Sequence, residues 1–483
     1  MINTAKKQIL IPLAEAGWKS AIAGGSIRSL LFDEEPHDCD IVTNAPEETV
    51  RRLFYVVEDI SKNMHLKVFL VTVGGYKYEI ARLRAESKTS DHRRPEYVRF
   101  VDDFKYDAER RDFTVNAMFL ASDGSIIDYF GGRDDIAGKV LRCVGNPAER
   151  FDEDVLRILR GIRFAVKYDL RIEDGTREAM RVNAKYLIAL PPVRITGELD
   201  KMMDLGGFRF SRALKIMRDT GVLDVILPEV AALKNFFHDK LYHPESCKIA
   251  DRECKNCTLC TNTVLNHVIE SVRVCQLSDT LVLWAVLLHD VGKAQCFAVK
   301  DKDGQKKLTY HAHEKAGVAI IEQIAERLKL PVKTKKVAQF CTEKHMMCHK
   351  LQEMKPAKVL KLMEHRFFNY LMEVADCDVL CRGDLAAAEE IRMRSEFTKK
   401  FRVLYNATRL VNGLFILENT DMEPGPKIGE IIEKLRNFIV TTGEIDMEVI
   451  KDKLKKCRVN RKSVTPLPAD KGVFLEYRLR GKM

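Results

Sequence analysis

The stretch Ala23–Thr43, AGGSIRSLLFDEEPHDCDIVT, constrains this chain more than any other. Gly24 and Gly25 permit a tight turn with close backbone approach, and their N–H groups are suited to receive phosphate oxygens. Arg28 follows, and then Asp38 and Asp40 in an apolar setting with Cys39 between them. Alternate side chains of a strand share a face, so the two carboxylates point the same way and Cys39 points back. Two such charges repel unless a cation sits between them. Hard oxygen ligands suit Mg²⁺, which keeps several waters and also binds substrate phosphates. An ordinary surface Asp-x-Asp at a strand end is the alternative; the upstream glycine pair weighs against it.

A length of 483 residues allows about two to four domains. Lys and Arg number 80 against 70 Asp and Glu, a net charge of +10, which favours a polyanionic partner. No apolar run approaches the ~18 residues of a membrane span. The N-terminus, MINTAKKQIL, lacks the apolar core of a secretory signal. Thirteen cysteines in such a chain point to reduced thiols and metal rather than a disulfide framework, and hence to the cytoplasm.

Periodicity predicts an α+β fold. Residues 3–16 read as an amphipathic helix, which Pro12 weakens. Residues 21–25, 38–43, 66–73, 78–83, 97–100 and 126–129 read as strands, with a helix over 46–55. From Ala148 the pattern is helical to the end, almost without strands. A helix starts after Pro191–Pro192, further helices are expected at 263–293, 311–330, 333–348, 355–380 and 384–415, and 423–427 is a break before a last helix. The expected organisation is a mixed-sheet head (1–147), a helical neck (148–233), a cysteine-rich insertion (234–262), a helical body (263–390) and a helical tail (391–483).

Three further motifs carry chemistry. Glu79, on the apolar strand YEIAR, supplies a third acid that would complete a two-metal cradle; a solvated strand-face glutamate is the alternative. In RRDFTVNAM, Arg111 is suited to clamp a triphosphate and Asp112 to accept a ribose hydroxyl, or Asp112 caps a helix. Asp154, Arg157, Arg160 and Arg163 recur every third residue in EDVLRILRGIRF, one slowly precessing stripe of a helix. A carboxylate only accepts hydrogen bonds and a guanidinium only donates. Cytosine and adenine both present an amino donor beside a ring-nitrogen acceptor; uracil and guanine present the opposite order. A fixed Asp–Arg pair therefore admits C and A and refuses U and G, without a template. A salt-bridged solvent face is the alternative for this stripe.

GGSIRSLL, HDCDIVT, YEIARLR, RRDFTVNAM, DYFGGRDDIAGKVLRCVG and ERFDEDVLRILRGIRFA occur in that order within residues 24–165. Together they resemble the class II CCA-adding tRNA nucleotidyltransferases and their poly(A) polymerase relatives. The resemblance implies a nucleotidyltransferase head, a nucleotide-selecting neck, and a body and tail that grip tRNA. It implies that Asp38 and Asp40 hold Mg²⁺, with Glu79 a further acid, and that Gly25 and Arg28 contact the nucleotide. Arg111 and Asp112 would lie near triphosphate and ribose. Asp154 and Arg157 would read the base, supported by Arg160 and Arg163. The implied substrates are ATP, CTP and the tRNA 3′ end, with neither DNA nor a membrane as partner. The family usually has Asp after its glycine-motif arginine; here it is Ser29. Enzymes adding only A or only C, and poly(A) polymerases, share these motifs.

Two features lie beyond that set. LLHDVGK, with His267 upstream and Asp376 downstream, resembles the HD superfamily of metal-dependent phosphohydrolases. That likeness implies His267, His289, Asp290 and Asp376 as ligands of a second divalent ion such as Mn, Ni or Mg, acting on RNA ends. It makes an RNA-end hydrolase the alternative activity. His311, His313 and His345 are extra candidates whose ordinary reading is core or surface histidine. Cys247, Cys254, Cys257 and Cys260 form C-x6-C-x2-C-x2-C, a set that suits tetrahedral Zn²⁺ or, less well, an iron–sulfur cluster; free loop thiols are the alternative. The segment GPKIGEIIEKLRNFIVTTGEIDMEVIKDKL reads either as a tRNA-elbow contact or as core-packing helices.

Overall fold

The structure, a computed structural model, describes residues 1–36, 38–59, 67–86, 98–237, 263–302 and 305–459. The four clustered cysteines lie outside the described residues. The chain divides into two units, Met1–Thr342 and Glu343–Met483.

The first unit opens with helical turns at Ile2–Ala5, Lys6–Leu10 and Ile11–Glu15. The middle turn is a π-helix just before Pro12, which accommodates a residue unable to make the regular i−4 hydrogen bond. A seven-stranded sheet follows. Its strands are β1 (Ser20–Ala23), β2 (Asp40–Thr43), β3 (Val56–Asp59), β4 (Val68–Val73) and β5 (Tyr76–Arg82), joined after a small ribbon by two more. The ribbon pairs β6 (Arg84–Glu86) with β7 (Val98–Phe100); β8 (Met118–Leu120) and β9 (Ile126–Asp128) complete the sheet. Its order is β3-β4-β5-β2-β1-β8-β9. Every adjacent pair is antiparallel except β2 and β5. One face buries Ala21, Ala23, Val42, Phe104, Ala117 and Phe119. Ile22, Ile41 and Ile80, alternating with these, are buried as well, and the Tyr78 hydroxyl donates to the Met1 carbonyl at 2.9 Å.

The six strands expected in the head are present within a few residues. β3, β6 and β8 were not expected: β3 is short and mostly exposed, and β6 and β8 are three-residue pieces without visible alternation. Beyond 147 the described chain is helical, with short strand pairs at Val140–Leu141 with Arg171–Ile172 and at Ala298–Lys302 with Gln305–Thr309.

The helix Pro192–Met203 ties two regions of the first unit together. Thr196 donates to the Leu328 carbonyl at 2.7 Å, and Asp200 accepts from the indole of the fully buried Trp284 at 2.8 Å. Trp284 belongs to Thr280–Leu288, the apolar helix that runs up to His289 and Asp290.

The second unit is helical over Pro356–Met363, Phe368–Leu380, Leu385–Leu410, Gly413–Glu418, Pro426–Thr442 and Met447–Val459. Among the described residues two helices rather than one follow the break, with Leu435, Ile439, Ile450 and Leu454 buried. The expected start of the tail, after residue 390, lies within the continuous helix Leu385–Leu410. Among the described residues no helix is long and apolar enough to cross a membrane.

Trp284→Phe keeps the apolar bulk and leaves the part-buried Asp200 carboxylate without its indole donor. It is expected to cost about 1–3 kcal/mol, read as a lower first transition in calorimetric unfolding, with Asp200→Asn losing less.

Candidate active site

Strand pairing gathers the acids. The register sets Asp40 beside Ala23 on one side and, across the parallel pair, beside Glu79 on the other. Asp38 and Asp40 face solvent while Cys39 is buried, as alternation requires. Asp38 itself precedes β2, on an approach segment whose carbonyl accepts from the Ser26 hydroxyl at 3.1 Å. Desolvation in the cleft, followed by the charges of Asp38 and Glu79, pushes the Asp40 carboxyl up to about 6 against the pull of Arg111. Three crowded oxygen ligands with a proton held so high fit a divalent cation, which would relieve the repulsion.

Of the glycine pair, Gly24 carries the constraint. Its φ is +65°, and a Cβ there would lie 2.5 Å from Arg111 Nη1. Its N–H donates to the Met118 carbonyl at 3.1 Å, so this expected phosphate donor is committed to the sheet. Gly25 opens the helix Gly25–Leu31 with an ordinary φ, and a Cβ there would only touch Arg28. Arg28 lies over the rings of Phe164 and Tyr168, 4.7 and 4.9 Å from their centroids, and donates to the Asn116 amide oxygen.

The arginines of RRDFTVNAM are held by an acid that the motif reading missed. Asp107 is fully buried and accepts from Arg110 at 2.7 and 2.9 Å and from Arg111 at 3.1 and 3.2 Å. Burial raises its carboxyl pKa, but these two guanidiniums outweigh it and hold the group below the usual range. Asp112 is likewise occupied. One oxygen accepts from Arg160 at 2.7 and 2.9 Å, the other from Asn116 at 2.8 Å and from the Phe113 N–H at 2.9 Å. Burial opposes ionisation there, yet Arg160 and Asn116 bring the carboxyl down to about 2. Asp112 is therefore an anchor between head and neck, with its lone pairs engaged, rather than an open ribose acceptor.

The expected stripe is not one helix. Pro147–Glu153 ends at Asp154, and Leu156–Lys167 begins after it, with Asp154 accepting from the Leu156 N–H at 3.1 Å. Short carboxylates cap helix starts readily, which spacing alone did not reveal. Burial raises the Asp154 pKa, opposed first by the hydrogen bond from the Leu156 N–H and then by Arg194, Arg157 and Arg160. Arg157 donates to the carbonyls of Arg150 and Arg110, at 2.9 and 2.8 Å, and to Glu153 at 2.8 Å. Arg163 pairs with the buried Glu198 at 2.7 Å. Arg160 and Arg163 thus brace the neck, while Asp154 and Arg157 share one end of it.

The second cluster also assembles. His267 Nε2, His289 Nε2 and Asp290 Oδ2 form a triangle with edges of 3.3, 3.4 and 3.5 Å. All three residues are buried. For bonds of about 2.0–2.1 Å, tetrahedral ligand atoms stand ~3.4 Å apart, so this triangle has the spacing of one face of such a site and could hold an ion. His289 Nδ1 lies 2.7 Å from the Val286 carbonyl and can only donate to it, which directs Nε2 toward His267 and Asp290. Burial alone would raise the Asp290 pKa; Lys293, 2.6 Å away, and His289 hold it well below the usual range. His313 is buried 3.4 Å from Asp290 Oδ1, whereas His311 is exposed. His345 and Asp376 belong to the second unit, where Arg394 donates to the Asp376 carboxylate at 2.5 and 3.1 Å.

Residues 20–142 match the family model described as poly A polymerase head domain. Residues 169–234 match one described as a probable RNA- and SrmB-binding site of polymerase A, and 248–382 match the HD domain. The head thus resembles that of the poly(A) polymerases, and a later stretch resembles the HD domain. Its fold is similar to that of solved CCA-adding enzymes. The solved Bacillus stearothermophilus CCA-adding enzyme in complex with CTP aligns over 95% of this chain and 98% of its own, with a TM-score of 0.58 and 22% identity. The Thermotoga maritima CCA-adding enzyme complexed with tRNA aligns over 95% of each chain at a TM-score of 0.58 and 18% identity. Curated proteins named CCA-adding enzyme match in sequence. That of Oceanobacillus iheyensis is 40% identical over 220 residues, 46% of this chain and 54% of its own. That of Streptococcus uberis is 42% identical over 194 residues, 40% of this chain and 48% of its own. The chain spans about half the length of the curated relatives it matches.

A carboxyl pKa raised by folding costs stability above that pKa and costs nothing once the group is protonated in both states. Asp40→Asn is therefore expected to raise the melting temperature of the metal-free protein above pH 6, with the gain fading as pH falls from 6 toward 4. A gain that grew on acidification would contradict the crowding.

Proposed function

We propose that this protein adds CCA to the 3′ end of tRNA from CTP and ATP without a template. The observation that carries the reading is the convergence of Asp38, Asp40 and Glu79 where the start of β2 pairs with the middle of β5, next to Arg111. In the proposed reaction the RNA 3′ hydroxyl attacks the α-phosphorus and pyrophosphate leaves. Mg²⁺ held by Asp38 and Asp40, with Glu79 beside them, would lower the hydroxyl pKa and offset charge on the leaving oxygens. Arg28 and Arg111, fixed by ring stacking and by Asp107, contribute positive charge near the triphosphate. Asp154 accepts from the amino group of C or A, and Arg157 donates to the ring nitrogen by exchanging one of its carbonyl bonds. The work left to the protein is chiefly positioning. Body and tail would hold RNA phosphates, with affinity falling as salt rises.

The test supplies CTP and ATP separately to tRNA lacking CCA, to tRNA ending in C, and to tRNA ending in CC. The expected order is C, C, then A. Asp38→Ala and Asp40→Ala should each reduce incorporation by at least about 10³-fold, in line with losing charge stabilisation worth ~4 kcal/mol. Asp154→Ala and Arg157→Ala should admit UTP or GTP. Addition of a single nucleotide type at every end would favour an A-adding, C-adding or poly(A)-polymerase reading.

The metal-spaced triangle of His267, His289 and Asp290 supports a second activity, hydrolysis of phosphate at RNA ends. RNA bearing a 2′,3′-cyclic phosphate and p-nitrophenyl phosphate, assayed with Mn²⁺, Ni²⁺ and Mg²⁺, should release product in a manner that Asp290→Asn abolishes. No turnover would leave the HD region structural. For Cys247, Cys254, Cys257 and Cys260, Zn²⁺ rests on spacing alone. Metal analysis of the purified protein and of Cys257→Ser decides it.

A further inference from the structure

We propose that a cleft lined by the helices Pro356–Met363, Phe368–Leu380 and Leu385–Leu410 binds one nucleoside 5′-monophosphate unit, base and phosphate together, as a site separate from the head. The cleft lies wholly within the second unit and has a volume of about 320 Å³, inside the ~300–1,000 Å³ of ordinary ligand pockets. The proposal depends on neither the CCA-adding nor the phosphohydrolase reading.

Chain geometry brings the lining together. Arg402, Tyr405 and Asn406 stand at i, i+3 and i+4 of one long helix and so share a face. The rest comes from the turn between two shorter helices: Met363 ends one, and Phe368 and Asn369 begin the next. The Phe367 N–H on His365 Nδ1 at 3.2 Å, and the Phe368 N–H on the His365 carbonyl at 2.9 Å, close that turn. Phe367 is buried, and the guanidinium of the exposed Arg366 lies 4.4 Å from its ring centroid.

The positive groups of the cleft are uncommitted. Arg366 and Arg402 are exposed and pair with no acid among the described residues. Other arginines of this unit, Arg382, Arg392 and Arg394, are each tied to a glutamate or an aspartate. Burial, and then the charges of Arg366 and Lys344, push the His365 imidazole below its ordinary pKa, in keeping with a positive field there. Among the described residues Glu364 is the one acid in the lining, and it is exposed. Phe368 and Asn369 lie in the first turn of a helix of 13 residues, whose N–H groups and dipole also favour an anion. A phosphate therefore meets two guanidiniums shaped for its oxygens.

The remaining lining suits a base. Met363 and Phe368 are buried and Tyr405 is half-buried, an apolar wall with two aromatic rings on which a base can stack. The side-chain amides of Asn369 and Asn406 bond to no protein group among the described residues. Each offers both donors and an acceptor to a base edge. A bare phosphate would leave the rings and amides unused, and an apolar ligand would leave the arginines unused.

The unit can arrive as a free nucleotide or as an unstacked residue of an RNA strand, and the test separates the two. The full chain is photolabelled with 8-azido-AMP and with a single-stranded oligoribonucleotide carrying one 8-azidoadenosine, and the adducts are mapped by peptide mass spectrometry. Adducts within residues 363–369 or 402–406 are expected. Tighter labelling by the mononucleotide identifies a free nucleotide as the ligand; tighter labelling by the oligonucleotide identifies RNA. Arg366→Gln and Arg402→Gln, both at exposed positions, should each raise the half-saturating concentration for that adduct about tenfold or more. Arg392→Gln should leave it unchanged. AMP should compete far better than adenosine or inorganic phosphate alone. Adducts confined to the head with both probes, unchanged labelling in either lining-arginine variant, or competition by phosphate equal to that by AMP overturns the proposal.

Discussion

Repulsion among three carboxylates on one small sheet sets the terms for the head. Asp40 and Glu79 are neighbours because β2 and β5 run parallel, the sheet's single exception to antiparallel pairing. Shifting either strand by one residue would turn its acid to the opposite face. The buried faces on both sides of the sheet, Val42 and Phe119 on one and Ile41 and Ile80 on the other, make that shift costly. Core packing thereby holds charges at a separation they would not choose, and a cation is the natural relief.

Around that centre, buried ion pairs fix the arginines. Asp107 holds Arg110 and Arg111, Asp112 holds Arg160, and Glu198 holds Arg163. Such pairs add little net stability, but removing one partner strands a buried charge, so each side chain keeps one geometry. Asp112 with Arg160 also joins the head to the helix Leu156–Lys167, and Arg28 stacked on Phe164 and Tyr168 joins them again. The acids and the end of the neck that carries Asp154 and Arg157 thus sit in one rigidly braced region of the first unit.

The acids, the glycine turn and the HD pair were legible because each depends on short-range spacing that strands and helix ends translate directly. Asp38 and Asp40 flank a buried Cys39, as period-two alternation requires. What spacing could not show was which polar groups are already taken. Asp112 and Arg157 read as open ligands, yet both are engaged by partners up to 48 residues away in sequence. Asp107 gave no signal because its motif, YDAERRD, looks like an ordinary charged turn. His313 differs from His311 only through the left-handed Ala312, a backbone choice that alanine does not announce. The break at Asp154 was hidden by a helical charge period that continues across it.

The central claim is that Asp38, Asp40 and Glu79 together hold the catalytic cation. Crystals of the full chain soaked with Mn²⁺ and CTP test it through the anomalous signal of manganese. The account predicts an ion about 2.0–2.2 Å from oxygens of Asp38 and Asp40 and from the nucleotide phosphates, in octahedral geometry. Manganese bound to the triphosphate with neither aspartate among its ligands would contradict it.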